Sequence, residues 1–222
     1  MDVLNPTVGT QTKTEGMQEF GLKSQKNDLS TLGLHVREAH WNLSQAELIE
    51  EAVLNREAKL ADSGALMCDT GKFTGRSPKD RFIVKDDKTK DAVWWGDINI
   101  PFSESNFDQL YNKMVSFLAD KKVYVRDAYA GADKTHRLRI RVVNTMAWHN
   151  LFLRPEQYKL ESFDPNFTII CVPEFEADPE ADGTRQKNFA IVNFTKRMIL
   201  IGGTGYSGEM KKGIFSVLNY IL

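Results

Sequence analysis

The stretch that decides the fold is Gly202-Gly203-Thr204-Gly205-Tyr206-Ser207-Gly208-Glu209-Met210-Lys211-Lys212-Gly213. An apolar run, residues 198–201, precedes it, and apolar residues continue at helical spacing: Met210, Ile214, Val217, Leu218 and Ile221. This order predicts a buried strand, a glycine-rich turn and a helix that begins near Ser207 and runs to the end of the chain.

Lys211 and Lys212 lie in the first turn of this predicted helix. Because the amino end of a helix carries about half a positive charge, each lysine is unfavourable there by a few tenths to ~1 kcal/mol unless an anion neutralises it. One explanation is a phosphate or carboxylate that binds the backbone amides and both ammonium groups, with Tyr206 beside it. The alternative is that Glu209 alone balances the lysines and the glycines only turn the chain, and the spacing favours neither. The stretch differs from the nucleotide-binding Gly-x-x-x-x-Gly-Lys-Ser/Thr loop, because no hydroxyl residue follows the lysines.

A second basic loop is Thr70-Gly71-Lys72-Phe73-Thr74-Gly75-Arg76-Ser77-Pro78-Lys79-Asp80-Arg81. It lies between two predicted strands, and its glycines and proline predict a turn. The glycine before Arg76 and the Ser-Pro pair after it constrain the backbone, so the guanidinium can be aimed at a carboxylate with two parallel hydrogen bonds. The alternative is a solvated arginine. Lys79, Asp80 and Arg81 fit either a surface charge cluster or a cluster that supports the site from behind.

Two further helices are predicted from caps and periodicity. Ser44-Gln45-Ala46-Glu47 has the spacing of a capping box, and apolar residues at helical intervals extend this helix over residues 44–60. Ser103 precedes a second apolar stripe, which predicts a helix that ends at Leu118. A short helix is also predicted within residues 17–22, in a segment, residues 1–41, that is otherwise weakly patterned.

Short runs rich in branched and aromatic side chains predict strands at residues 66–68, 82–84, 123–125, 138–143, 167–172, 189–194 and 198–201. Only a few polar residues separate the last two runs, so we expect an antiparallel hairpin there. The fold class is therefore α/β, with an α+β-like mixed β-sheet flanked by helices. Residues 174–183 are rich in acidic side chains and are predicted to form a solvated surface loop.

The composition restricts the class of protein and of partner. With 222 residues, of which 41% are hydrophobic and 10% aromatic, the chain is able to bury a core. A formal net charge of -1 gives no global basic field for nucleic acid or an anionic membrane, so an anion site has to be local. Cys68 and Cys171 lie in apolar runs and fit buried free thiols in a reducing compartment. No apolar run is long enough to span a bilayer, and the cytoplasm is the expected location.

The two basic stretches quoted above resemble signatures of the ATP-dependent phosphoenolpyruvate carboxykinase family. Three other groups of residues agree with that family in order and spacing: Trp95-Gly96-Asp97-Ile98-Asn99, Arg141-Val142-Val143 with Ala147-Trp148-His149-Asn150-Leu151-Phe152, and Phe215-Ser216-Val217-Leu218-Asn219-Tyr220. The resemblance runs from about Ser44 to the last residue. It implies that residues 42–222 are the substrate-binding amino-terminal domain, and that the family's nucleotide-binding half lies outside this chain.

Enzymes of this family convert oxaloacetate and ATP reversibly into phosphoenolpyruvate, CO2 and ADP, with Mg2+ on the nucleotide and Mn2+ in the site. The resemblance implies that Arg76 holds the substrate carboxylate and that Tyr206 contacts the substrate near the carboxyl group that is lost. It implies catalytic roles for Lys211 and Lys212. Lys212 would also contact the substrate and the transferred phosphoryl group of ATP, and would bind Mn2+ through a neutral amine. The remaining Mn2+ ligands and the other contacts to ATP would lie outside this chain.

Two hypotheses about function follow. The first is the substrate-binding part of a gluconeogenic carboxykinase, which binds oxaloacetate or phosphoenolpyruvate weakly and is inactive without its nucleotide-binding half. The second is a stand-alone module, derived from that domain, that binds a dicarboxylate or a phosphorylated metabolite. The apolar face expected at the end of the last helix, with no cap or polar tail after it, favours the first.

Overall fold

The computed structural model describes residues 16–24, 29–153 and 163–221. The strands in them are β1 (Gln18–Gly21), β2 (Glu38–Trp41), β3 (Ala58–Leu60), β4 (Leu66–Cys68), β5 (Arg81–Val84), β6 (Ile100–Phe102), β7 (Lys122–Ala130), β8 (Leu138–Asn144), β9 (Phe167–Val172), β10 (Phe189–Asn193) and β11 (Met198–Gly202). The helices are α1 (Gln45–Leu54), α2 (Glu104–Leu118), α3 (Ala147–Leu151), α4 (Pro179–Asp182) and α5 (Gly208–Ile221). None of these helices has the length and apolar composition needed to cross a bilayer.

A nine-stranded mixed sheet forms the centre of the described residues, in the order β1-β2-β7-β8-β9-β11-β10-β5-β6, and β3 pairs with β4 separately. Its two faces carry different cores. One face packs with α2, through Phe107, Leu110, Met114 and Leu118, and the other packs with α5, through Met210, Ile214 and Val217. Alternate residues of β11 divide between these cores, as the two-residue period of a strand requires. The predicted mixed sheet flanked by helices is therefore confirmed.

Local signals predicted the two longest helices and the last hairpin correctly. The Ser103 hydroxyl accepts a hydrogen bond of 3.1 Å from the Asn106 amide and so caps α2. β10 and β11 pair antiparallel, with Phe189 opposite Gly202 and Asn193 opposite Met198. β11 leads through a glycine turn into α5, which is the order that the first quoted stretch predicts.

The helix predicted over residues 44–60 is too long. Its start is confirmed, because Ser44 and Glu47 form both hydrogen bonds of a capping box. The helix ends at Leu54, and Arg56 has a φ of 61°, in the left-handed region that stops a right-handed helix. Residues 58–60 then form β3 opposite β4, so the apolar Leu60 belongs to a strand.

The short helix predicted within residues 17–22 is wrong, because this segment contains β1, which pairs parallel with β2. So few residues do not nucleate a helix alone, whereas an edge strand satisfies its backbone against a neighbour. Phe20 also stacks on His40 of β2, with ring centroids 4.8 Å apart. Residues 1–15 and 25–28 of the weakly patterned segment lie outside the described residues, and the boundary at residue 42 stays a prediction.

The acidic segment at residues 174–183 is not only a solvated loop. It contains α4, and Asp182 at the end of that helix is 1% exposed. The Asp182 carboxylate accepts hydrogen bonds from Lys113 and Gln109 of α2. The local composition predicted that this carboxylate would be exposed to solvent. Its partners on α2 lie far away in the sequence and could not be recognised from the acidic segment itself.

Candidate active site

A cavity of about 390 Å3 lies along the exposed side of α5. Three basic side chains line it, Arg76, Arg81 and Lys212, and its wall is otherwise largely apolar, with Trp94, Ile98 and Phe215. Arg76 and Lys212 come from the two basic stretches that the sequence singled out. The fold therefore brings these two predicted site residues to one cavity.

The loop that carries Arg76, residues 69–80, connects β4 to β5 and is called the arginine loop below. It ends in a single 3-10 turn over Pro78–Asp80. The Arg76 side chain is exposed, and within the described residues its guanidinium has no hydrogen-bond or ion-pair partner. It is therefore available to a ligand.

Two buried carboxylates hold the end of the arginine loop. Asp80, 2% exposed, accepts hydrogen bonds of 2.8 and 2.9 Å from Arg185. Glu209 of α5, also 2% exposed, accepts hydrogen bonds from the Ser77 amide and from Arg81. Lys79, by contrast, is exposed. Asp80 and Arg81 thus hold the end of the loop through ion pairs, and Arg81 also lines the cavity, whereas Lys79 lies at the surface.

The turn between β11 and α5, residues 203–207, is called the glycine turn below. Gly203 has a φ of 68°, a conformation that glycine adopts without strain. A Cβ atom on Gly205 would lie 2.8 Å from the Thr70 carbonyl oxygen, so only glycine permits this approach to the arginine loop. The glycines therefore bring the two basic stretches into direct contact.

A buried histidine forms a hydrogen bond with the backbone of the glycine turn. His149, 0% exposed, lies on α3, and its Nε2 is 3.0 Å from the Gly205 carbonyl oxygen. Burial lowers the pKa of His149 to about 4, so the ring is neutral at pH 7 and donates its proton from Nε2 to that carbonyl. Its Nδ1 then accepts from the Cys171 thiol, 3.7 Å away, whose pKa is raised by burial.

The sequence assigned no role to His149 on chemical grounds. It lies in a segment that resembles the family, but nothing local showed that its ring nitrogen meets a carbonyl of the glycine turn. The only available signal was a histidine among apolar neighbours in what the structure shows to be a short helix, and such a residue is more often a satisfied core histidine. Of the two cysteines, Cys171 is buried as predicted, whereas Cys68 is only partly buried.

Lys211 and Lys212 occupy the start of α5, as predicted. Lys211 is exposed, and Lys212 is half-buried with its Nζ 4.9 Å from the Phe215 ring centroid. Within the described residues neither lysine has an acidic partner. The alternative that Glu209 alone balances them is wrong, because its carboxylate accepts hydrogen bonds from the Ser77 amide and pairs with Arg81.

Tyr206 lies in the glycine turn, where its amide donates to the Thr204 hydroxyl at 3.1 Å. Its ring lies against the backbone of Gly208, where a Cβ atom would come within 2.5 Å of it. Tyr206 and Lys211 do not line the cavity that Arg76 and Lys212 share. The structure thus brings two of the four predicted residues together and places the other two beside them.

Among the described residues, no group of three or more His, Cys, Asp or Glu side chains is placed to hold a metal ion.

Comparison with known proteins gives a consistent result. A family model described as phosphoenolpyruvate carboxykinase matches residues 37–222. The chain is 54% identical over 200 residues to the phosphoenolpyruvate carboxykinase (ATP) of Amoebophilus asiaticus, a match that covers 87% of this chain and 38% of that protein. It is 52% identical over 216 residues to the enzyme of the same name from Christiangramia forsetii, covering 95% and 38%, and 47% identical over 209 residues to that of Geobacillus kaustophilus, covering 91% and 39%.

The chain spans less than half the length of these relatives. The family model nevertheless covers most of the chain, including the arginine loop, the glycine turn and α5. The chain therefore belongs to the ATP-dependent phosphoenolpyruvate carboxykinase family.

Proposed function

We propose that this chain is the amino-terminal, substrate-binding part of an ATP-dependent phosphoenolpyruvate carboxykinase, which converts oxaloacetate and ATP into phosphoenolpyruvate, CO2 and ADP. The observation that carries the proposal is the cavity that Arg76 and Lys212 share. Both side chains lack an acidic partner among the described residues, whereas Glu209 and Asp80 are already paired. A cavity with uncompensated positive charge suits a ligand that carries carboxylate and phosphoryl groups.

The reaction needs positioned charge more than covalent help. Loss of CO2 breaks a carbon–carbon bond, and its electron pair becomes an enolate whose oxygen then takes the terminal phosphoryl group of ATP while ADP leaves. Arg76 would hold the carboxylate that stays on the substrate, through two parallel hydrogen bonds. Lys211 and Lys212 would stabilise the negative charge that develops, and the helix dipole of α5 has the same sign at this end. Tyr206 would contact the substrate near the carboxyl group that leaves.

The proposed cofactors are ATP, Mg2+ and Mn2+. When bound, the two ions would neutralise phosphate charge and act as Lewis acids in the site. Lys212 is the residue of this chain that would hold Mn2+, as a neutral amine, and that would lie near the transferred phosphoryl group. The other ligands would come from the remainder of the enzyme.

Exposed apolar side chains support a fragment over a stand-alone module. Trp94 and Ile98 are 92% and 86% exposed, and Phe215 and Ile221 on α5 are 55% and 51% exposed. Three of them line the cavity, so burial of this surface by the nucleotide-binding half would also close the site. We infer that the chain alone is inactive and that the complete enzyme works in gluconeogenesis in the cytoplasm.

Calorimetric titration of the chain with phosphoenolpyruvate and with oxaloacetate tests the proposal. We expect weak binding that Arg76→Ala and Lys212→Met each reduce at least about tenfold, since each removes a charge-assisted contact worth about 1.5–3 kcal/mol. Arg37→Ala is the matched control, because Arg37 is an exposed arginine next to β2, far along the sheet from β5 and β10. Its affinity should equal that of the unaltered chain.

Turnover is then measured with ATP, Mg2+ and Mn2+, with and without the carboxyl-terminal remainder of the Amoebophilus asiaticus enzyme. We expect activity only when that remainder is present. Turnover by the chain alone would refute the inference that it is inactive. Micromolar binding by the chain alone would favour the stand-alone module, and binding that is indifferent to Arg76 and Lys212 would refute the proposed site.

A further inference from the structure

The two halves of the proposed site meet at one buried carboxylate. Glu209 Oε1 accepts hydrogen bonds from the Ser77 amide at 2.9 Å and from Arg81 Nη2 at 3.2 Å, and Oε2 accepts from Arg81 Nε at 2.9 Å. All these donors belong to the arginine loop or to the first residue after it. The carboxylate belongs to the first turn of α5. Glu209 therefore links two segments that lie far apart in the sequence.

This link constrains both predicted substrate-binding cations. Ser77, whose amide is held, directly follows Arg76. Lys212 lies three residues after Glu209, close to one helical turn, so both side chains project from neighbouring positions of α5. Together with the close approach of Gly205 to Thr70, this side chain helps to set the distance between the Arg76 backbone and the Lys212 backbone.

Burial makes this contact dependent on its partners. A carboxylate that is 2% exposed is costly unless it is paired and hydrogen-bonded, and within the described residues Glu209 accepts from the Ser77 amide of the arginine loop and from Arg81, the first residue of β5. Movement of the loop away from α5 would remove the Ser77 amide from that buried charge. The planar guanidinium of Arg81 adds direction, because its Nε and Nη2 contact both carboxylate oxygens.

We propose that Glu209 is a positioning residue that fixes the arginine loop on the start of α5 and so sets the spacing between Arg76 and Lys212. This inference rests on the proposed function for its consequence, which is affinity for phosphoenolpyruvate. The position of the loop is a separate consequence that does not depend on any ligand.

The test uses Glu209→Gln, which keeps the shape of the side chain and removes its charge, and Arg81→Gln, which weakens the same link from the loop. Asp182→Asn is the matched control, since Asp182 is an equally buried carboxylate paired with a lysine on α2, away from the cavity. Urea unfolding, hydrogen exchange of the Ser77 amide and calorimetric affinity for phosphoenolpyruvate are measured on each variant. If Glu209→Gln does not fold, the exchange rate of the Ser77 amide in Arg81→Gln carries the test, because Arg81 itself lines the cavity and its loss also changes the affinity directly.

We expect exchange of the Ser77 amide to accelerate at least about tenfold in both link variants, and the affinity to fall by about tenfold. Asp182→Asn, at a similar loss of stability, should leave both quantities within about twofold of the unaltered chain. Equal effects of Glu209→Gln and Asp182→Asn would overturn the proposal, because the loss would then reflect general destabilisation.

Failure of the proposed function gives a different pattern. If the unaltered chain binds no phosphoenolpyruvate, or if Arg76→Ala does not weaken binding, the substrate assignment fails. In that case the exchange rate of the Ser77 amide still tests whether Glu209 holds the arginine loop on α5. An unchanged rate in Glu209→Gln would refute this positioning role.

Discussion

Acid should destabilise this fold through His149. The imidazole is 0% exposed, and its pKa is about 4 in the folded protein against 6.5 for the free side chain. Because the folded state resists protonation, the unfolded chain gains a proton first as the pH falls. The stabilising effect of the neutral ring is therefore complete above pH 6.5 and is lost progressively as the pH falls toward 4.

The size of this effect follows from the two pKa values. At pH 5 the unfolded imidazole is almost fully protonated and the folded one is mostly neutral, which lowers the free energy of unfolding by about 2 kcal/mol relative to pH 7. The full effect, reached below pH 4, is about 3 kcal/mol. Other groups also titrate in this range, so a comparison between variants is needed to isolate this one.

The variant His149→Gln isolates it, because glutamine offers a neutral N–H donor to the Gly205 carbonyl and does not titrate. The free energy of unfolding is measured with urea at pH 7 and at pH 5. Its decrease between the two pH values should be about 2 kcal/mol smaller in His149→Gln than in the unaltered protein. His136→Gln is the control, since His136 is an exposed histidine whose side chain is 62% exposed, and it should keep the original pH dependence. An identical pH dependence in His149→Gln and the unaltered protein would refute the reasoning. An imidazole titration of His149 near pH 6.5, observed by NMR, would refute it directly.

Three substitutions test other features of the fold by urea unfolding at pH 7. Arg141→Met leaves the buried carboxylate of Asp127 without its partner at 2.7 Å and should cost about 3–5 kcal/mol. Met114→Ala removes a side chain of α2 that is 0% exposed and should cost about 2–5 kcal/mol. Ser44→Ala deletes the hydroxyl that caps α1 and should cost about 1 kcal/mol. A loss below about 1 kcal/mol for either of the first two would contradict the burial described here.

The features predicted well from the sequence are those that local signals encode. The cap at Ser103 and the apolar stripe of α2 lie within a single segment, so no distant residue is needed to recognise them. The same holds for the β10–β11 hairpin and for the glycine turn before α5. The helix over residues 44–60 failed at its end, because Arg56 in the left-handed region and the pairing of β3 with β4 depend on backbone geometry that apolar spacing does not encode.

The site shows the same division between local and distant information. Arg76 and Lys212 were recognisable from the two basic stretches that carry them, but their shared cavity depends on the order of β5, β10 and β11 in the sheet. His149 was missed as a support of the glycine turn because its partner, the Gly205 carbonyl, comes from another element. Asp182 was misplaced in solvent for the same reason, since Lys113 lies on α2.

Glu209 shows why spacing alone left the partner of the two lysines open. An acidic residue in a helix's first turn, beside two lysines, is one of the two neutralisers that the sequence allows. Lys211 is not a suitable partner for Glu209, because residues two apart on a helix do not face each other. The ammonium group of Lys212 instead lies over the ring of Phe215. The guanidinium of Arg81 contacts both oxygens of the buried carboxylate, a stronger arrangement than one contact from a mobile ammonium group. Glu209 therefore pairs with the arginine loop and leaves both lysines uncompensated, and this residual charge is what an anionic substrate would neutralise.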